Sequence, residues 1–262
     1  EYEGIKKFYG KKIASDRQEE LQNYILEGGF PRTIQLENIA AKRRYVQSVI
    51  EEIFEKDIRR RLKIRNKNTF ETVQKYIINN FAATTSLKSL KKAIEQNGTA
   101  ISEATIARYV KALLDAKILC ECPRFDMKSK KSLSGEKKYY LADTAFYFAQ
   151  NTDNRINFGP VLENITYIYA KSHDYSVAVG RIGKLECDFI LRNNEMRYSY
   201  IQVAYTIALS KDTEDREYRP LEAIKDNYPK YVVTADSILQ QRNGIEHINL
   251  IDFMRNGKEF LA

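Results

Sequence analysis

The chain has 262 residues, 43% hydrophobic and 30% charged, with 5 Pro and 11 Gly. That is room for one large domain or two modest ones with real cores, and too little Pro and Gly for a linker-rich chain. No apolar run approaches the ~20 residues of a membrane-spanning helix, and two His, at 173 and 247, do not make a zinc site. The net charge of +8 is uneven: residues 40–138 hold 23 Lys and Arg against 11 Asp and Glu, and the rest holds 20 against 24. A segment at +12 beside a remainder at −4 points to a polyanion partner for the first. Cys120, Cys122 and Cys187 cannot all pair and form no CxxC, which favours a reducing, cytoplasmic setting. Glu1 opens the chain and Met occurs only at 127, 196 and 254, so we expect a fragment of a longer protein with a preceding domain.

In chain order, residues 16–27 read as a helix with Asp16 as N-cap and Gly28 at its C-terminal end. Gly28-Gly29-Phe30-Pro31 is a turn. A long helix is expected from 38 to 62, closing on Arg59-Arg60-Arg61-Leu62-Lys63, where cations suit the helix dipole. Three helices follow: 69–81, 87–96 after Ser86, and 103–116 after Ser102. The period then changes to strands at 118–122 and 138–141, with 126–137 as a polar hairpin tip. Three helices and a hairpin in this order predict a winged helix-turn-helix. Beyond 155 a helix at 160–172 precedes strands at 176–180, 185–191 and 198–205, the three forming a meander. An acidic stretch, 211–219, leads to a helix at 220–226, then strands at 231–234 and 245–250. This is a mixed α/β sheet behind a helix. The fold class is therefore multi-domain α/β: a helical lead-in at 1–62, a winged helix at 63–150, and a nuclease-like domain at 151–262.

The candidate catalytic residues are Glu163 on a helix, Asp188 in a strand two residues after Glu186, and Gln202 in the next strand. An acid on a helix, an Asp at a strand, then Glu or Gln with Lys two residues on is the layout of restriction-endonuclease-like nucleases. Asp188 and Gln202 would offer oxygen to Mg²⁺, Glu163 would hold a metal-bound water, and the Lys would stabilise charge at the phosphate. Strand alternation puts that Lys at 204, where this chain has Ala. We therefore expect a degenerate site, with weak Mg²⁺ binding at Asp188 and Glu163 if any, and no cleavage. Two close carboxylates need a neutralising cation. Lys184 is the expected source and Lys171 a second one. Ala204→Lys with Gln202→Glu is expected to restore metal affinity. In the basic segment, Thr105, Arg108 and Lys111 line the outward side of the third helix, and Lys128, Lys130, Lys131 and Lys137 mark the wing. Arg108, Lys111 and these four lysines are the expected nucleic-acid contacts: the wing lysines suit sequence-independent phosphate contacts, and Arg108 is the one base reader, so strong sequence specificity is not expected.

Six stretches in order carry a resemblance: Tyr24–Pro31; Thr105–Tyr109 with Leu113–Ala116; Lys138–Asp143; Gly159 with Leu162-Glu163-Asn164; Glu186–Phe189; and Tyr200–Val203. Together they resemble the C-terminal half of a bacterial and archaeal family of AAA-type P-loop ATPases, in which an ATPase domain precedes a winged helix and an uncharacterised nuclease-like domain. Members with an intact motif carry Glu-Val-Lys where this chain has Gln-Val-Ala. The resemblance implies that residues 1–40 are the tail of the ATPase lid and that ATP binds in the missing N-terminal domain. This chain itself has no GxxxxGK[ST] and is expected to hold no cofactor other than possible Mg²⁺. The expected function is DNA engagement and regulation within that ATPase, with no membrane partner. The alternatives are a Mg²⁺-dependent DNA endonuclease with a displaced lysine and a protein-interaction module.

Overall fold

The computed structural model describes residues 2–13, 16–64, 66–150 and 157–260, with side chains up to Asn256. The chain divides into two compact units, residues 1–121 with 139–156, and residues 122–138 with 157–262.

The first unit is helical: α1 (Tyr2–Phe8), α2 (Arg17–Glu27), α3 (Pro31–Gln35), α4 (Ile39–Ile53), one π-helical turn at Phe54–Ile58, α5 (Arg59–Leu62), α6 (Lys67–Asn79), α7 (Leu87–Gln96), α8 (Glu103–Asp115) and α9 (Ala145–Gln150), with the short strand β1 (Thr84–Ser86). The starts follow from capping. Asp16, Asn38, Asn66, Ser86 and Ser102 each accept a backbone N–H of the first turn, which satisfies donors the helix leaves open. The long helix expected over 38–62 runs through its π turn without a break. Phe54, Phe70 and Tyr109 pack ring to ring, at 5.0 and 5.2 Å between centroids, and tie the π turn, α6 and α8 into one core.

Gly28 and Gly29 have a specific reason. Asp143 accepts the Gly29 N–H at 2.8 Å and the Ala145 N–H at 2.8 Å. Gly28 has φ +74°, and a Cβ there would sit 2.1 Å from Asp143 Oδ1. The Gly-Gly turn and the Leu-Ala-Asp stretch thus form one packed joint.

The sheet has nine strands in the order β1-β3-β2-β4-β5-β6-β7-β9-β8. The others are β2 (Leu119–Asp126), β3 (Lys131–Leu141), β4 (Ser176–Ile182), β5 (Leu185–Arg192), β6 (Tyr198–Val203), β7 (Lys230–Thr234), β8 (Gln241–Arg242) and β9 (Ile245–Asn249). In the second unit β2 pairs parallel with β4, β4-β5-β6 is an antiparallel meander, and β6, β7 and β9 are parallel. The remaining helices are α10 (Phe158–Ser172), α11 (Lys211–Glu222) and α12 (Leu250–Phe260). A buried cluster of Tyr200, Ala204, Tyr218, Leu221, Val232 and Ile245 joins the sheet to α11, with Phe125 and Met127 of the hairpin packed against it.

Several expected elements are corrected. The hairpin tip is the four residues 127–130 rather than 126–137, because β2 and β3 extend past the expected ends. Residues 122–138 cluster with the second unit, and β2 runs beside β4. The expected boundary at 150/151 adjoins residues outside those described. The helix expected at 220–226 is α11, which begins at Lys211 on the cap Ser210 and holds Pro220 inside. Residues 250–260 are a helix, so the last strand stops at Asn249. Among the described residues no helix is long and apolar enough to cross a membrane.

Candidate functional site

Glu163, Asp188 and Gln202 come together in the second unit, through three elements. Glu163 stands on the second turn of α10, whose neighbouring residues Leu162, Ile165 and Thr166 are buried. Asp188 is in β5, one residue along from Phe189, which pairs with Ile201 of β6, so Asp188 and Gln202 are cross-strand neighbours. Gln202 Oε1 lies 3.4 Å from the Asp188 backbone nitrogen, and its amide donates to Glu217 Oε2 of α11 at 3.1 Å. Asp188 Oδ2 accepts the Val203 N–H at 2.9 Å.

The cation at this site is Lys138 of β3. Its Nζ is 2.8 Å from Glu163 Oε1, 2.9 Å from Glu186 Oε1 and 3.4 Å from Asp188 Oδ1. This corrects the expectation of Lys184 or Lys171: both are exposed, whereas Lys138 is 5% exposed among three carboxylates. Arg124 of β2 closes the other side, bonding Glu186 at 2.6 Å and also Glu136. Four carboxylates thus contact two cations, with Glu136 at the exposed side. Burial pulls the Lys138 ammonium down, but Asp188, Glu163 and Glu186 outweigh it and hold its pKa above the usual lysine range. Burial also works against the Glu186 charge, and Lys138 with Arg124 keeps that carboxyl below its ordinary value. For Asp188 burial and the Glu163 charge prevail, and its carboxyl is pushed well up.

Among the described residues no three His, Cys, Asp or Glu are arranged to hold a metal ion. An ammonium stands where the carboxylate oxygens converge, and Gln202 brings an amide spent on Glu217, so the residues as placed do not fit Mg²⁺. Ala204 belongs to the apolar cluster with Tyr218 and Leu221. A lysine there would enter that cluster, which opposes the expected repair of the motif at 204.

The expected nucleic-acid contacts divide between the two units. Arg108 and Lys111, on α8, are exposed. Lys111 is bonded to Asp115 at 2.8 Å, and the Arg108 guanidinium lies 5.7 Å from the Tyr109 ring centre. Lys128, Lys130 and Lys131 sit at the β2–β3 turn, exposed. Lys137 alternates with Lys138 and is half-buried. Sequence reasoning misses Lys138 itself, with Arg124 and Glu186, as part of the acidic site. The available signal is alternation: of two adjacent lysines in a strand, one faces inward.

The fold and site define a mixed α/β protein with a lysine-neutralised acidic cluster. The chain belongs to the family described as "Domain of unknown function (DUF8612)", which it matches over residues 18–155. It is similar, at 26% identity over 228 residues, to an uncharacterized protein of Haemophilus influenzae, covering 87% of this chain and 56% of that one. It is equally similar, at 26% over 229 residues, to an uncharacterized protein of Methanocaldococcus jannaschii, covering 85% and 50%. The chain spans about half the length of the curated relatives it matches. No solved structure matches it.

Proposed function

We propose that this chain is a DNA-engaging, non-cleaving part of a longer protein, a winged helix followed by a nuclease-like domain, working beside an AAA-type P-loop ATPase domain that binds ATP. The observation that carries the reading is the β2–β3 hairpin. Its turn presents Lys128, Lys130 and Lys131 to solvent, while its β3 strand delivers Lys138 to Glu163, Glu186 and Asp188. Exposed lysines without a side-chain partner among the described residues suit phosphate contacts. A buried ammonium amid the acids suits a site that does no metal chemistry. An odd number of cysteines and no CxxC agree with a reducing, cytoplasmic setting.

The test is duplex DNA binding by the unmodified chain across a salt series, together with plasmid incubation in Mg²⁺. Roughly micromolar affinity that falls steeply with salt and intact plasmid are expected. No binding at low salt overturns the reading. The ATPase part is checked by looking for a GxxxxGK[ST] upstream of Glu1.

Mg²⁺-dependent nicking that disappears in Asp188→Ala would overturn the non-cleaving part of the reading and select a Mg²⁺-dependent DNA endonuclease instead.

A further inference from the structure

Resting on the DNA-engaging reading, we infer that the phosphodiester backbone is held by one end of the second unit's sheet, where two hairpin turns form a single basic edge, and that Arg181 and Lys184 belong to it with the hairpin lysines. The topology places them there. β2 and β4 are parallel neighbours, with Arg124, Phe125 and Asp126 opposite Val179, Gly180 and Arg181. Both strands therefore reach their C-terminal ends at the same end of the sheet. β2 turns there through 127–130 into β3, and β4 turns through Gly183-Lys184 into β5, with Ile182 opposite Leu185. Gly183 has φ +64°, the left-handed geometry a two-residue hairpin turn needs. Four adjacent strands thus end side by side, about 15 Å across at ~4.8 Å per strand. Several consecutive phosphates span that width.

Five cations occupy this edge: Lys128, Lys130, Lys131, Arg181 and Lys184, all exposed. Arg181 Nε bonds the Gly183 carbonyl at 3.1 Å, and Arg181 stands opposite Asp126 of β2 and Glu186 of β5. The carboxylate of the β2–β3 turn, Asp126, is engaged in building that turn, accepting the Ser129 N–H at 2.8 Å. Glu136 and Glu186 are spent on Arg124 and Lys138. The edge is also firm. Met127 N–H bonds the Arg181 carbonyl at 2.9 Å, and Phe125, Met127 and Ile182 pack on the unit's core. A rigid row of cations loses little freedom on binding, which is how preorganisation gains affinity. By contrast Lys111 of α8 is already paired with Asp115.

Duplex binding by four variants of the chain tests this. Arg181→Ala with Lys184→Ala is expected to weaken binding about tenfold and to lower the salt slope by about two, one for each phosphate no longer neutralised. Arg181→Lys with Lys184→Arg keeps the charges and is expected to bind within about twofold of the unmodified chain. Lys171→Ala with Lys225→Ala, two exposed cations outside that edge, is expected to do the same. The inference is overturned if the first variant binds like the unmodified chain, or if Arg108→Ala with Lys111→Ala on α8 is the change that removes affinity while the first variant keeps it. Either result leaves DNA engagement itself standing. Absence of binding by the unmodified chain removes both the function and the edge. Equal competition by polyglutamate also overturns the inference, because carboxylates would then replace phosphates.

Discussion

Lys138 holds three carboxylates at 2.8–3.4 Å, so its removal leaves buried negative charge without a partner. Lys138→Met is expected to cost about 3–5 kcal/mol in urea unfolding at neutral pH, and to cost less in acid, where the carboxylates take up protons. The sign follows from Glu186, whose carboxyl Lys138 and Arg124 hold below its ordinary value. Such a group contributes stability that is present above its unfolded pKa and is lost as pH falls through the folded one. Asp188 runs the other way: its raised carboxyl contributes stability that is full below its unfolded pKa and is lost as pH rises through the folded one. An equal loss at all pH values would show that Lys138 acts by packing alone. Ala204→Lys is expected to destabilise as well, because the ammonium would enter the cluster of Tyr218 and Leu221. Calorimetry of Ala204→Lys with Gln202→Glu should detect no Mg²⁺ binding. The sequence makes Glu163, Asp188 and Gln202 legible because each stands in a short, typed motif. Lys138 is hidden because its partners lie 25 and 50 residues away, and no local pattern reports such a distance.

Among the elements, capped helices are the readable ones. Ser86 and Ser102 announce α7 and α8 because a hydroxyl before an apolar stripe has one obvious use. Ser210 announces α11 in the same way, yet the residues after it are so polar that the stripe is invisible until Tyr218 and Leu221. Strand lengths are underread in the hairpin because its outer half faces solvent and shows no apolar alternation. The joint between Gly28-Gly29 and Asp143 connects elements more than 100 residues apart, and it gives a prediction. Gly28→Ala forces a side chain into a left-handed position against Asp143, and is expected to cost about 2–4 kcal/mol in thermal or urea unfolding. Asp143 should also leave a pH signature. Burial lifts its carboxyl to about 6 against the pull of the Ala145 and Gly29 N–H groups. Its contribution is then full below an unfolded pKa of about 4 and is lost as pH rises through about 6. Asp143→Asn should flatten that part of the stability profile, and an unchanged profile would place the titration elsewhere.

At the scale of the whole molecule, the uneven charge visible in the sequence and the division into two units do not coincide. The basic segment 40–138 spans all of β2 and ends inside β3, so its last lysines belong to the second unit's sheet. Composition assigns charge to stretches of chain, whereas strand pairing assigns it to surfaces. That is why the lysines of the hairpin tip stand at the end of a strand that pairs with β4. The three thiols test how firmly the hairpin belongs there. Cys120 is half-buried, while Cys122 and Cys187 are buried. Burial pushes the Cys122 thiol up to about 12 and the Cys187 thiol further, so both react only after opening. Cys122 Sγ lies 3.8 Å from the Val177 carbonyl of β4, and β4 pairs with the strand that holds Cys187. The two should therefore become reactive in one cooperative opening of the second unit, at a common rate under low denaturant, with Cys120 faster. Mass spectrometry of thiol labelling against time reads each site separately. Labelling of Cys122 at the rate of Cys120, well ahead of Cys187, would mean that the hairpin opens on its own. The basic edge would then be a flexible arm instead of a preformed surface.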